Sequence, residues 1–503
     1  MSSSEGKKLS RRKYLELTAG AVAGLAVGGA LGYLAKPAEM VTQTATETVT
    51  VTGTVPPPVT TTAAAHTFPP ATVTYWSSMY NQPQWNGTGY PLMRKLFQEK
   101  YPGCDVLSVG VDYSSQLEQQ VIQLQSSNPP DVVQVQAPYI SCIPFLEPLD
   151  DYIQRWNWPL DKMRGETSYP AKYAKYVGGD DKIYGAVQSM TPEAVAWYRK
   201  DILKEKGFDD PEAQAQSGSS PKWSLDEFLD IIRKCTFKRS DGTQVFGYAF
   251  PTLATDGVSR WREDWHDYLI AAGGGLVRPE NPGQIICGKK PYLDANVAVG
   301  EFMRTLVSEK LVPVGVVKPS YFTMQITGQV TFTLGPPVQY ALWDVPAQNP
   351  WGGGHQDQLP NMGTCLMAFF GKGWNYVDMN DAIWVTVAKN GRNKEAAFAI
   401  LDLMCNNEEM AKYLSTVNYL FPANLDTIPP GALTQSFWQA FQESAKIANI
   451  HMLISDCWGL EKYGLDIWKA WFDMAQNIVY SNKDIQDMYV QLQGTLEKIV
   501  SAS

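Results

Sequence analysis

The feature that most constrains this chain is an alternation of strand and helix patterns that begins at Ala71. Residues 71–76 (ATVTYW) read as a β-branched strand, Pro91 to Lys100 has helical spacing that stops before Pro102-Gly103, and Val106 to Val111 reads as a second strand. A polar helix is expected over Ser114 to Ser126 and a third strand over Asp131 to Gln136. Strand, helix, strand at this spacing predicts parallel pairing with right-handed crossovers. Further elements are expected at Lys182 to Val187, Ser224 to Cys235, Ala298 to Lys310, Gln329 to Leu334, Ala382 to Ala388 and Lys394 to Tyr413. Ser224, with Glu227 three residues on, predicts a capping box. Beyond Pro430 the pattern is almost wholly helical.

The 503 residues suffice for two or three domain-sized units. With 42 Lys plus Arg against 51 Asp plus Glu, the net charge of −9 would repel a nucleic-acid backbone, so nucleic acid is excluded as a ligand. Aromatics reach 12% while charged residues are only 18%, a bias toward surfaces where flat amphipathic rings meet partly polar ligands. The seven cysteines (104, 142, 235, 287, 365, 405 and 457) form no CxxC and no Cys/His cluster, so no metal site and no cofactor is expected. Export would permit up to three disulfides; paired and unpaired readings stand level.

The amino-terminal end speaks of export. Lys7, Lys8, Arg11, Arg12 and Lys13 precede an uncharged run from Leu17 to Ala35, long enough to cross a bilayer as a helix. Ser10 to Glu16 resembles a twin-arginine signal, with Tyr14 and Glu16 as departures from it. Residues 1–38 are therefore read as a twin-arginine-like signal or membrane anchor, without a convincing cleavage site. Residues 39–70 form a Thr/Pro-rich linker; residues 41–62 hold ten Thr and three consecutive Pro, a composition that builds no core. The rest is expected on the extracellular face, and Asn86-Gly87-Thr88 has the form of a glycosylation acceptor.

From residue 72 to about residue 495, the order of segments resembles extracellular solute-binding proteins of the large sugar-binding group that includes maltose-binding protein. The pieces are VTYWSSMYNQ, LFQEKYPGCDV, residues 129–153 (PPDVVQVQAPYISCIPFLEPLDDYI), residues 182–203, WSLDEFLDIIRKCT, GQVTFTLGPP and NKEAAFAILDLMCNNEEMAKYL. The segment at 129–153 is the strongest single piece.

This resemblance implies an α/β, two-lobed periplasmic-binding-protein-like (type II) fold with a ligand in the interlobe cleft and no covalent chemistry. Lobe 1 would comprise 71–188 plus 384–426, and lobe 2 would comprise 189–383 plus 427–503. It further implies a monomer that delivers a sugar to the permease subunits of an ABC importer, tethered through its amino-terminal helix.

A sugar offers hydroxyls at its edge and C–H groups on its faces, so its binder needs planar polar groups and aromatic plates. Ligands of α/β sheets gather beyond the carboxyl ends of strands, which singles out Trp76, Ser77, Tyr80, Gln136, Tyr139 and Gln188 from the first lobe. For the second lobe the resemblance points to Trp265, Gly335, Pro336, Trp343, Tyr419, Trp458 and Trp468. Trp468 and Trp471 lie three apart on one helix, which ordinary core packing would also produce. A receptor of the same fold for peptides, polyamines or anions would place cations or a helix amino terminus at the cleft. A glycoside hydrolase would need two carboxylates about 5–10 Å apart, and a purely structural adhesin would need neither.

Overall fold

The computed structural model describes residues 67–502 except 78–84, 111–115, 136–138, 160–179, 181, 193–194, 217–222, 251, 253–264, 279–282, 317, 347, 350–351, 367–376, 418, 423–435, 448–449, 453–459 and 461–462. All of these belong to the unit His66–Ser503. The expected membrane helix and the Thr/Pro-rich linker lie outside the described residues, among which no helix is long and apolar enough to cross a membrane.

Strand β1 (Thr72–Ser77) forms where Thr, Val and Tyr alternate, and it buries Val73 and Tyr75 completely. It pairs in parallel with β2 (Asp105–Gly110) on one side and with β3 (Val132–Val135) on the other, as the strand-helix-strand spacing predicted. The intervening helices are Tyr90–Lys100 and Gln116–Leu124. Next come β4 (Ala186–Pro192) and β5 (Val195–Arg199), then β6 (Phe237–Lys238), β7 (Gln244–Tyr248), β8 (Val330–Leu334) and β9 (Met362–Leu366). The remaining strands are β10 (Val377–Val387), β11 (Phe421–Pro422) and β12 (Ile450–Met452).

These strands form two sheets. The first has the order β11-β4-β10-β3-β1-β2, with β12 also pairing β10; the second has the order β6-β7-β8-β5-β9. The first sheet is mixed, because β10 enters it antiparallel to both β3 and β4. The chain leaves the first sheet after Pro192, starts the second at Val195, and rejoins the first at Val377.

Each sheet has its own core. Around the first, Val73, Tyr75, Phe97, Val133, Trp384 and Phe398 are buried together. Around the second, Phe228, Tyr248, Phe302, Phe332, Trp468 and Trp471 are. Helix Leu225–Lys234 shows why the sequence folds as it does. Its Phe228, Ile231 and Ile232 face the core at helical spacing. The expected capping box is present, Glu227 N donating to Ser224 Oγ (3.2 Å) and Ser224 N to Glu227 Oε2 (2.6 Å).

Two expectations shift. The helix expected over Lys394 to Tyr413 is two helices, Lys394–Asn406 and Glu408–Thr416. The break falls at Asn407, whose Oδ1 accepts from Glu409 N and Met410 N and starts a new helix. Past Pro430 the chain is not uniformly helical: β12 stands between helices Trp438–Ile447 and Gly464–Tyr480.

Candidate functional site

The parallel strands of the first sheet end at Ser77, Gly110 and Val135, and Ser77 opens a buried polar chain. Its Oγ donates to Gln134 Oε1 at 2.8 Å, and Gln134 Nε2 donates to Gln188 Oε1 at 3.2 Å. Gln120 Nε2 donates to the Gln134 carbonyl. All four side chains are essentially inaccessible. Gln188 reaches this chain because of a register step: Ile383 faces Ser189 and Trp384 faces Val187, so Gln188 is the extra residue of a β-bulge. Bulges re-aim side chains in this manner. The carboxamide Nε2 of Gln188 has no hydrogen-bond partner.

Trp76 and Ser77 are neighbours on one strand and therefore point to opposite faces. Trp76, 9% exposed, belongs to the first core and borders a groove of about 460 Å³ that it shares with Thr72, Thr74, Gln123, Asn128 and Asp131. Asp131 is fully engaged there, accepting from the backbone N–H groups of Thr74 (2.9 Å), Arg392 (2.8 Å) and Asn393 (3.0 Å). Tyr139 begins a 3-10 turn, Tyr139–Phe145, and its side chain lies outside the description. Tyr80, Gln136 and Trp458 lie outside the described residues.

In the second sheet, β8 runs into Gly335-Pro336-Pro337 and the helix Val338–Trp343. Trp197 Nε1 donates to the Pro336 carbonyl at 3.2 Å. Beneath this turn lies a second glutamine chain. Gln325 Nε2 donates to the Trp197 carbonyl (2.8 Å), while Gln325 Oε1 accepts from Thr333 Oγ1 (2.6 Å) and Gln339 Nε2 (2.8 Å). Gln339 Oε1 is buried without a partner. Gly335 lies against it: a Cβ there would stand 2.2 Å from Gln339 Oε1, which would have to move aside.

Aromatic rings wall this region. Trp343 is fully buried, edge-on to Trp197 with centroids 5.3 Å apart. Tyr419, held at a left-handed φ of 51°, meets Tyr340 at 5.1 Å and Phe437 at 5.5 Å. Tyr340 in turn stacks on Phe437 at 4.6 Å. Burial, reinforced by the Asp344 carboxylate, pushes the Tyr419 phenol up to about 12. Val338 packs against both the first core and this aromatic cluster, so the start of its helix sits where the two sheets' packing meets.

Trp265 and Trp468 lie elsewhere, in the core of the second sheet, where Trp265 meets Trp471 edge-on at 6.0 Å. The structure thus brings Ser77 and Gln188 into one hydrogen-bonded chain and Gly335, Pro336, Trp343 and Tyr419 into a second neighbourhood. Sequence reasoning missed Gln134, Gln325 and Gln339. Arg199 is committed elsewhere: it is 3% exposed and donates to Asp201, to the Ile326 carbonyl and to Gln358. Among the described residues no group of His, Cys, Asp and Glu could hold a metal ion. What these two edges offer is uncharged carboxamides and hydroxyls beside aromatic rings.

Two α/β lobes, each ending in a polar edge, define a two-lobed solute-binding protein. The chain belongs to the bacterial extracellular solute-binding protein family, whose model matches residues 82–411. Its fold is that of solved ABC substrate-binding proteins. One is Lmo0181 from Listeria monocytogenes in complex with cycloalternan, 16% identical, with a TM-score of 0.66 over 86% of this chain and 99% of that one. The GacH receptor of Streptomyces glaucescens, solved unliganded and with acarbose, is 16% identical with a TM-score of 0.65, over 86% and 98%. The MalE domain from Bdellovibrio bacteriovorus bound to maltotriose is 12% identical with a TM-score of 0.64, over 86% and 100%. No curated protein matches the chain. The family expected from the order of segments is therefore the family found, and family membership implies an exported protein.

Proposed function

We propose that this chain is the extracellular substrate-binding component of an ABC transporter that captures a sugar or oligosaccharide by lobe closure and delivers it to the membrane permease. The observation that carries this reading is the pairing, within this family, of an uncharged polar edge at Ser77 and Gln188 with the aromatic neighbourhood around Gly335, Trp343 and Tyr419. Hydroxyls suit carboxamides and hydroxyls, and sugar C–H faces suit aromatic rings. Structural neighbours solved with cycloalternan, acarbose and maltotriose support the same class of ligand.

In this reading lobe 1 is 71–188 plus 384–426 and lobe 2 is 189–383 plus 427–503. Trp76, Ser77, Tyr80, Gln136, Tyr139 and Gln188 contribute from the first lobe. Gly335, Pro336, Trp343, Tyr419 and Trp458 contribute from the second, whereas Trp265 and Trp468 serve its core. The closed state is favoured because the ligand touches both lobes. The protein acts as a monomer without catalysis, and residues 1–38 export or tether it at the outer membrane face.

The test is a thermal-shift panel of oligosaccharides, peptides, polyamines and anions on the purified chain. Saturable stabilisation by a sugar, with the sugar recovered intact and a smaller radius of gyration on binding, supports the proposal. Stabilisation by another ligand class alone, or turnover of the sugar, overturns it.

A further inference from the structure

Of all the asparagines in the chain, Asn86 alone is followed by a residue other than proline and then by Ser or Thr. The motif Asn86-Gly87-Thr88 occupies the middle of a single π-helical turn, Trp85–Gly89, which leads into helix Tyr90–Lys100. Asn86, Gly87 and Thr88 are all exposed, whereas Trp85 before them and Gly89 after them are buried.

The two ends of the turn are pinned to the first core. Trp85 sits between Tyr75 and Tyr413, with ring centroids 6.0 and 6.1 Å away. Gly89 packs so tightly that a Cβ there would stand 2.4 Å from the Trp85 ring and 2.6 Å from the Tyr413 ring. Between these anchors the backbone stands clear of the fold: a Cβ on Gly87 would meet nothing within 4 Å. The side chains of the motif are equally unencumbered. Asn361, Asn406 and Asn477 each donate Nδ2 to an oxygen of the protein. Asn86 and Thr88 make no hydrogen bond of this kind among the described residues.

We propose that Asn86 is an N-glycosylation site, taking an oligosaccharide from a polyprenyl-pyrophosphate-linked donor after export. Family membership implies export, which puts the turn on the side of the membrane where the transfer takes place. In the transfer, Asn86 Nδ2 bonds to C1 of the donor's first sugar while the bond from C1 to the pyrophosphate oxygen breaks. The electron pair leaves on that oxygen, and one Nδ2 proton passes to a base of the transferase. The Thr88 hydroxyl is the group by which the transferase recognises the motif. Gly87, without a Cβ and free of contacts, lets the turn open into the enzyme while Trp85 and Gly89 keep their places. The attached glycan projects into water and displaces nothing from the core. The inference requires export alone and holds whatever ligand the chain carries.

The experiment is mass spectrometry of the full-length chain purified from the organism that encodes it, beside its Asn86→Gln, Thr88→Ala and Thr88→Ser variants. Mass is read on the peptide that holds residue 86, so sugar elsewhere on the chain does not enter. The expected result is a saccharide mass on that peptide, lost in Asn86→Gln and Thr88→Ala and retained in Thr88→Ser. Thr88→Ala leaves Asn86 in place, so the loss there separates enzymatic recognition from reaction with free sugar. Both positions are exposed, so each variant is expected to fold with a melting temperature within about 2 °C of the natural chain. An unmodified Asn86 in the natural chain, or a saccharide mass on it that survives Thr88→Ala, overturns the inference.

Discussion

Gly247 presses against Ile232 so closely that a Cβ on the glycine would stand 2.1 Å from the Ile232 carbonyl oxygen. Strand β7 thereby lies flush on helix Leu225–Lys234, and Gly247 N donates to Thr236 Oγ1 at 2.9 Å just past the helix end. Backbone cannot yield as a flexible side chain can. Gly247→Ala is expected to destabilise the chain by about 3 kcal/mol, read as a lower urea midpoint at unchanged slope.

Asp131 ties three segments with one carboxylate, since Thr74 belongs to β1, Asp131 precedes β3, and Arg392 and Asn393 precede helix Lys394–Asn406. Asp131→Ala strands three backbone donors in a buried place and is expected to cost about 3 kcal/mol. Asp131→Asn keeps one carbonyl-type oxygen and should lose distinctly less. Equal losses in the two variants would mean that the charge itself, not the accepted hydrogen bonds, is what matters.

Ligand binding should depend little on pH and salt. Ser77, Gln134, Gln188, Gln325 and Gln339 carry no titrating proton, and the Tyr419 phenol, pushed up to about 12, stays neutral far above physiological pH. The dissociation constant for the bound sugar is expected to change less than about twofold from pH 5.5 to 9 and from low to high salt, because screening acts on charges. A steep salt dependence, measured by titration calorimetry, would point to an ionic ligand.

The described cysteines 104, 235, 287, 365 and 405 are free and buried. Burial pushes the Cys235 and Cys287 thiols up to about 12 and raises those of Cys365 and Cys405 as well. Thiolate, the nucleophile, is thus scarce as well as shielded. At pH 8 these five should resist iodoacetamide in the native protein and all react in guanidinium, as peptide mass mapping would read.

How far the sequence reaches can be judged from particular residues. β1 was legible because β-branched and aromatic residues alternate over Thr72 to Trp76, and the Ser224 cap because Glu227 follows at the required distance. The break at Asn407 has a sequence signal too, an Asn ahead of Glu408-Glu409, but it is masked by the apolar periodicity running through it. The glutamine chains were not legible. Gln134 meets Ser77 only because β3 lies beside β1, and Gln188 meets Gln134 only because β4 bulges against a strand nearly two hundred residues later in the chain. Nor does a list of residues after strand ends reveal that Trp76 and Ser77 look to opposite faces; that follows from the pleat once register is known. Trp468 and Trp471 were ambiguous at helical spacing, and both turn into the core of the second sheet.

The position of β10 in the first sheet bears on how the chain can be made. Its neighbours β3 and β4 are complete by Pro192, yet the strand that joins them spans Val377–Val387. During synthesis from the amino terminus, the entire second sheet, from Val195 to Leu366, leaves the ribosome before that gap can be filled. Until then the facing flanks of β3 and β4 are open to any passing strand, so a nascent chain stalled short of residue 377 would be a natural client for holding chaperones.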